Sequence, residues 1–439
     1  MGKNNRERRA AKKKARDRMY REREESSAAP STPSAPPTLD TAVDALARAA
    51  RAFAAEGGDP AEHTLELTGG ELGVRPQLVD AAVDLVTRTA LASVWRGGWL
   101  PYDVARLVER RLGAQALTLV TDLIAAQVAE YAAATVHERW QEQLAQIDAG
   151  VWWRADAALL GQWQVRHRCD RIKALALVVE FLAMTLELPP LPVILPLPGT
   201  ARAASGAHHS AVDPKILGRV RGLLAKAEST QFPEEAEALS AKAQELMTRH
   251  AFERALLDAE THVSQAAASR RIWLDAPYIG AKAQLVNSVA DANRCKVVVY
   301  EKLGFVAVLG DELDLDITEL LSTSLLVQAT RALVATDRDS GRTGQVRNYR
   351  QSFLLAYATR IGQRLAETNE PAVADDRLLP VLADRSKAVE ALFQEMFPRT
   401  VNKSYAVRSE AGWGAGTSAA DRADLGLDRT SVSAGERRN

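Results

Sequence analysis

Five prolines within eleven residues, Pro189, Pro190, Pro192, Pro196 and Pro198 in PPLPVILPLPG, set the strongest limit on how this 439-residue chain can fold. Proline fixes φ and lacks a backbone N–H, so no helix or central strand can run through such a stretch. It reads as an extended polyproline II connector. With ARAASGAHHSAVD behind it, it predicts the main domain boundary, a linker over 189–212. Adjacent histidines cannot both face one metal from a helix, so His208 and His209 read as a solvated pair.

Before the linker the apolar spacing is helical. LDTAVDALARAARAFAAE predicts a helix over 39–56 that stops at Gly57 and Gly58. Further helices are expected over 77–95, 102–112, 115–146 and 155–187, making a helical domain over 39–188. Trp95, Trp99, Trp140, Trp152, Trp153 and Trp163 crowd this half, and their expected task is core packing, because indole rings contribute large buried area.

The charge total hides an asymmetry. Lys+Arg and Asp+Glu tie at 56 each, yet residues 1–25 hold eleven basic against five acidic residues, a net of +6. The remainder, at 45 against 51, carries −6. MGKNNRERRAAKKKARDRMYREREE has almost no apolar content to offset ordering entropy, so a disordered basic arm and Ser/Ala/Pro linker are expected over 1–38. A second disordered tail is expected over 428–439. Two distant cysteines, Cys169 and Cys295, form neither a disulfide framework nor a zinc spacing, and suit a reducing cytosol. The N-terminus lacks an apolar secretory core. The most apolar run, 174–188, is broken by Glu180 and Glu187, so the expectation is a cytoplasmic chain with no membrane partner.

After the linker, residues 213–258 predict a hairpin of helices. Asp213 can cap free N–H groups, and Pro214 suits the first helical position. Ile216, Leu217, Val220, Leu223, Leu224 and Ala227 make one apolar stripe. Lys215, Arg219 and Lys226 share one flank, with Arg221 on the other. Phe232-Pro233-Glu234-Glu235 opens the second helix, whose stripe is Ala236, Leu239, Ala243, Leu246 and Met247.

The residues Lys215, Ile216, Leu223-Leu224-Ala225-Lys226-Ala227-Glu228-Ser229-Thr230, Phe232-Pro233-Glu234-Glu235-Ala236 and Lys242-Ala243-Gln244-Glu245-Leu246-Met247 form a pattern that resembles the domain of unknown function numbered 2786, found in actinobacterial and phage proteins. Gly218 and Gly222 stand where larger residues are expected. The following region looks like that family's usual C-terminal companion. GGWLPYDVARLVERRLG and HERWQEQL look like the N-terminal extension of its actinobacterial members. The resemblance implies organisation; the family carries no established biochemistry to transfer.

A small α+β domain is expected over 270–427. It reads as a helix over 281–292, a β-hairpin of CKVVVY and FVAVLG with Gly304 in its turn, and helices over 317–336 and 352–367. TDRDSGRTGQVRNYRQ between those helices reads as a mobile loop whose Arg338, Arg342, Arg347 and Arg350, with Tyr349, suit phosphate contact. VRSEAGWGAGTSAADRADLG has glycines and alanines spaced for close packing.

Catalytic signatures do not emerge. His137 in HERW is not part of HExxH, there is no GxSxG, and the phosphate-loop lysine is missing. The densest carboxylate cluster, Asp311, Asp314 and Asp316, is the one candidate for a divalent ion, but acids at a helix start explain it without metal. The expectation is a mainly α, non-enzymatic protein without cofactor, having a helical N-terminal domain, a central helical hairpin and a small α+β domain. Its expected role is to bind DNA or RNA phosphates through Lys215, Arg219, Arg221, Lys226, Arg338, Arg342, Arg347 and Arg350. The alternative is a protein–protein adaptor with the hairpin as docking module; a metal-dependent enzyme at the acidic cluster ranks third.

Overall fold

A computed structural model describes residues 38–68, 75–201, 267–340, 346–369, 379–401 and 405–423, with residue 403 and a few positions between 218 and 246. The basic arm and the tail of the sequence reading lie outside these residues. The chain is mainly helical, with one small antiparallel sheet in its C-terminal part. It divides into two compact units, Met1–Tyr131 with Glu138–Pro190, and Ala132–His137 with Leu191–Asn439.

The first unit is built of helices and their connections, with no strand among its described residues. Helix α1 (Leu39–Glu56) starts on Thr38, whose hydroxyl accepts from the Thr41 N–H, and ends at Gly57 with φ of 68°. Its buried residues Ala42, Ala45, Leu46, Ala49 and Ala50 follow the spacing of one helical face. That face packs on α2 (Pro76–Arg96) and α7 (Arg171–Leu186). Between them come α3 (Pro101–Arg111), α4 (Ala114–Val128), α5 (Glu138–Gln146) and α6 (Leu159–His167).

Two helices expected to be continuous are each broken. The 115–146 stretch ends its first helix at Val128 and resumes at Glu138. The 155–187 stretch breaks where Arg168 takes a left-handed φ of 50° and Asp170 caps α7 through the Lys173 N–H.

The tryptophans divide. Trp95, Trp99, Trp140 and Trp163 are each at most 2% exposed. The Trp95 N–H donates to Gln127 Oε1 at 2.8 Å, and its ring meets Trp140 edge-on at 5.2 Å. The Trp99 N–H donates to the Pro189 carbonyl at 2.9 Å. Trp152 departs from the expected core role: it is 37% exposed. Trp153 is only half-buried.

The second unit is organised around the sheet. Strands β1 (Ala268–Trp273), β2 (Lys296–Tyr300) and β3 (Phe305–Gly310) pair antiparallel in the order β1-β3-β2. The hairpin of β2 and β3 is the expected one. Gly304 has φ of 83°, a region open to glycine, and its N–H closes the turn on the Tyr300 carbonyl at 2.8 Å. Strand β1 is an addition the sequence did not announce.

Helices cover both sheet faces. Ile272, Val306 and Val308 meet Ala283, Val286 and Ala290 of α8 (Ile279–Ala292). Ala307, Leu309, Val298 and Tyr300 meet Val389, Phe393 and Phe397, the first two on α11 (Leu379–Met396). Every residue of β3 is therefore buried.

Helix α9 (Glu312–Ser340) and α10 (Val346–Asn369) both exceed their expected bounds. Helix α12 (Glu410–Asp421) lies so close to α10 that a Cβ on Gly412 would sit 2.5 Å from the Tyr349 carbonyl oxygen, and one on Gly416 would strike the Phe353 backbone. The small-residue spacing read from the sequence thus serves close helix packing.

Candidate functional site

The basic residues predicted to contact phosphate fall on separate elements. Gly218, Arg219, Gly222, Leu223, Ala225 and Lys226 are helical, and Arg219 and Lys226 are exposed. Seven residues apart, they share one helix face. A Cβ at Gly218 or Gly222 would meet nothing within 4 Å, so the backbone beside these cations is uncovered. Lys215 and Arg221 lie outside the described residues, as does the second helix of the expected hairpin except for a half-buried helical Leu246.

The expected arginine loop is mostly helix. Arg338 belongs to the last turn of α9, and Arg347 and Arg350 to the first turns of α10. Arg342 lies outside the described residues. Arg347 is exposed and Arg350 half-buried. Tyr349, read as a loop aromatic beside them, is 5% exposed and packs in the core under α12. The helical period carries α10 through this stretch, which turns the tyrosine inward.

The acidic cluster is held by arginines. Arg270 of β1 reaches Glu312, Asp316 and Glu319 of α9 at 3.4, 2.6 and 2.6 Å. Those three acids sit at offsets 0, 4 and 7 on one helix face. Arg294 grips Asp314 with two donors, Nη2 to Oδ1 at 2.6 Å and Nε to Oδ2 at 3.3 Å. Asp311 accepts from the Leu313 N–H at 3.1 Å, capping α9, and lies 3.9 Å from Arg385 of α11. The carboxylates that were metal candidates therefore meet guanidinium groups rather than converge on one point. Among the described residues no group of His, Cys, Asp or Glu is arranged to hold a metal ion.

Burial governs the titration here. It pushes the Asp314 carboxyl up, against the pull of Arg294. It also pushes the Cys295 thiol up to about 12, helped by the charge of Asp314. A thiol that stays protonated is a packing residue rather than a nucleophile. Cys295 Sγ sits under Gly310 and receives a 3.6 Å contact from the Thr318 hydroxyl.

One surface of the first unit escaped the sequence reading. The Trp152 N–H donates to Asp122 Oδ2 at 2.9 Å, and Asp122 is only 7% exposed. The Arg166 guanidinium lies over the Trp152 ring at 4.2 Å from its centroid, and Trp153 stands edge-on to that ring at 5.9 Å. Burial pushes the Asp122 carboxyl up, opposed by the Trp152 hydrogen bond and the charges of Arg166 and His167. The signal in the sequence was the arginine density of WWRADAALLGQWQVRHRCDR beside a tryptophan pair. A uniform assignment of tryptophan to the core concealed it.

Among the described residues no helix is long and apolar enough to cross a membrane. No curated protein and no solved structure matches the chain. Residues 215–254, the segment holding Arg219 and Lys226, match the family described as Protein of unknown function (DUF2786), so the chain carries a domain of that family at this place.

Proposed function

We propose that the chain is a non-catalytic nucleic-acid-associated protein that contacts phosphates through the basic face of its DUF2786 segment, assisted by the basic arm. The observation that carries this reading is the exposure of Arg219 and Lys226 on one helix face beside two glycines whose backbone is uncovered. Two exposed cations on one helix face can each meet a phosphate, and bare glycines let a nucleic-acid backbone come near. Contacts of this type position a nucleic acid without reading its sequence. Arg347, with Arg350 beside it on α10, belongs to a second patch of the same chemistry.

Phosphate contact releases counterions, so the binding constant falls as salt rises, with a logarithmic slope of about −0.9 per phosphate neutralised on duplex DNA. The test is binding of labelled duplex DNA and single-stranded RNA at low and high salt, comparing the full chain with one starting at Leu39. The truncated chain is expected to retain salt-sensitive binding, and Arg219→Ala with Lys226→Ala to weaken it and flatten the slope. If all binding disappears with the arm, the reading fails for the folded segment, and a role in docking a protein partner takes its place.

A further inference from the structure

The first unit contains a surface that the phosphate contacts above do not use. Four of its tryptophans are sealed in the core, whereas Trp152 stays 37% exposed. Its ring is not loose. Asp122 accepts from the indole N–H at 2.9 Å, Trp153 stands edge-on to the ring, and the Arg166 guanidinium lies over the face. Desolvating a carboxylate to fix a surface ring is unfavourable for stability alone, so the arrangement presents a rigid aromatic–cation platform.

The neighbourhood defines the ligand. Val151 and Val165 beside the platform are 58% and 81% exposed. The stretch from Val151 to Lys173 holds Arg154, Arg166, Arg168, Arg171 and Lys173 against Asp156 and Asp170. Arg154 pairs with Asp156, Arg171 pairs with Asp80, and Asp170 caps α7. Arg166, Arg168 and Lys173 remain exposed at the α6–α7 corner. A flat ligand with negative charge along its length suits this surface, and a duplex keeps its base faces stacked away from such a platform.

We infer that Trp152 and Arg166 form a stacking site for the bases of single-stranded nucleic acid, with Arg168 and Lys173 receiving the phosphates. An unpaired base lies on the Arg166–Trp152 stack, as aromatic rings and guanidinium planes both accept base faces. This inference rests on the reading of the chain as a nucleic-acid binder, but at different residues and with a preference for single strands.

The experiment uses the full chain and a labelled oligo-thymidylate of about twenty nucleotides, long enough for one such site, with duplex DNA as competitor. Trp152→Leu leaves an apolar side chain but removes the ring; Arg166→Ala removes the guanidinium from an exposed helix position. Each is expected to weaken oligo-thymidylate binding by about tenfold or more, while Trp152→Phe keeps most of it. If Trp152→Leu misfolds, Arg166→Ala still decides the question.

Loss of single-strand binding in these variants, with Arg219→Ala and Lys226→Ala still binding the oligonucleotide normally, supports the platform; if those two variants also bind duplex DNA and RNA normally, the phosphate face is overturned as well. Normal binding by both platform variants, with loss in the Arg219 and Lys226 variants, overturns the platform alone. A wild-type chain that does not bind the oligonucleotide overturns the platform, and if it does not bind duplex DNA or RNA either, both readings fall.

Discussion

The two units solve burial in opposite ways. The first is closed by rings and small residues: alanines line α1, and four tryptophans fill the space between helices, their N–H groups met where a neighbour such as Gln127 offers an acceptor. The second closes around a three-stranded sheet whose surroundings are stitched by buried or half-buried charge pairs, Arg270 with the acids of α9 and Arg294 with Asp314. The first unit joins elements far apart in the chain, such as α1 and α7, mainly by apolar contact. In the second, hydrogen-bonded charges also tie α9 to β1 and to the turn before β2, and such bonds fix register as well as proximity. The expected consequence is that the second unit is sensitive to unpaired charge, while the first is sensitive to volume and to the state of its few partly buried carboxyls.

The sharpest way to break this contrast is Arg294→Met. Asp314 would be left buried at 3% side-chain exposure without its bidentate partner. Removing one member of such a pair costs about 3–5 kcal/mol. Faster hydrogen exchange of the β3 amides is the measurement, because β3 is the buried middle strand. Adding Asp314→Leu is expected to restore much of the loss. A double variant as weak as the single one would mean that the pair acts through shape rather than charge.

A smaller effect is expected from Gly416→Ala, which forces a methyl group against the Phe353 backbone. Overpacking of this kind costs about 1–3 kcal/mol. A lowered urea midpoint for the second unit, with the Trp-dominated signal of the first unchanged, is the expected result. Gly414→Ala is the control, since a Cβ there meets nothing within 4 Å.

The smallest effect belongs to the first unit and concerns pH. Burial raises Asp84, Asp122 and Glu180 above their ordinary values. A carboxyl whose folded pKa lies above its unfolded value holds its proton more tightly when folded. Its contribution is full below the unfolded pKa, about 4, and is lost as pH rises through the folded value. Asp122→Asn removes one such group. The stability of the Asn variant relative to the natural chain is therefore expected to increase as pH rises from about 4. Urea unfolding followed by tryptophan fluorescence across that range checks the sign, and a difference that falls with pH contradicts it.

Much of the architecture could be read from residue order because its signals were local. Gly57 stops α1, Gly304 turns the hairpin, and the α1 stripe has a helical period. The failures have equally specific causes. Nothing in AEYAAATVHERW marks a break, because alanine favours helix on both sides of it. Arg168 ends α6 in a left-handed conformation usually taken by glycine, which conceals the break before α7. Strand β1 reads ASRRIW, and its Arg270 is tolerated toward the helices only because α9 brings three acids to meet it. Helix α12 is rich in glycine, which disfavours helix locally; contact with α10 overrides that preference. For the candidate sites, the basic face of the 2786-type segment was visible as spacing. The Trp152 platform was not, because it depends on Asp122, which arrives from α4, thirty residues earlier in the chain.

The contact between α10 and α12 also bears on how the protein is made. The Tyr349–Phe353 ridge of α10 is complete well before the glycines that cover it have been translated. Until Gly412 and Gly416 leave the ribosome, that ridge has no lid of its own, and the second unit waits with an apolar helix face turned outward. A nonsense codon between the two helices would then release, and a pause would hold on the ribosome, a chain whose first unit is finished and whose second is adhesive, the kind of intermediate that chaperones hold and proteases clear. Quality control of this protein would thus be decided at α12.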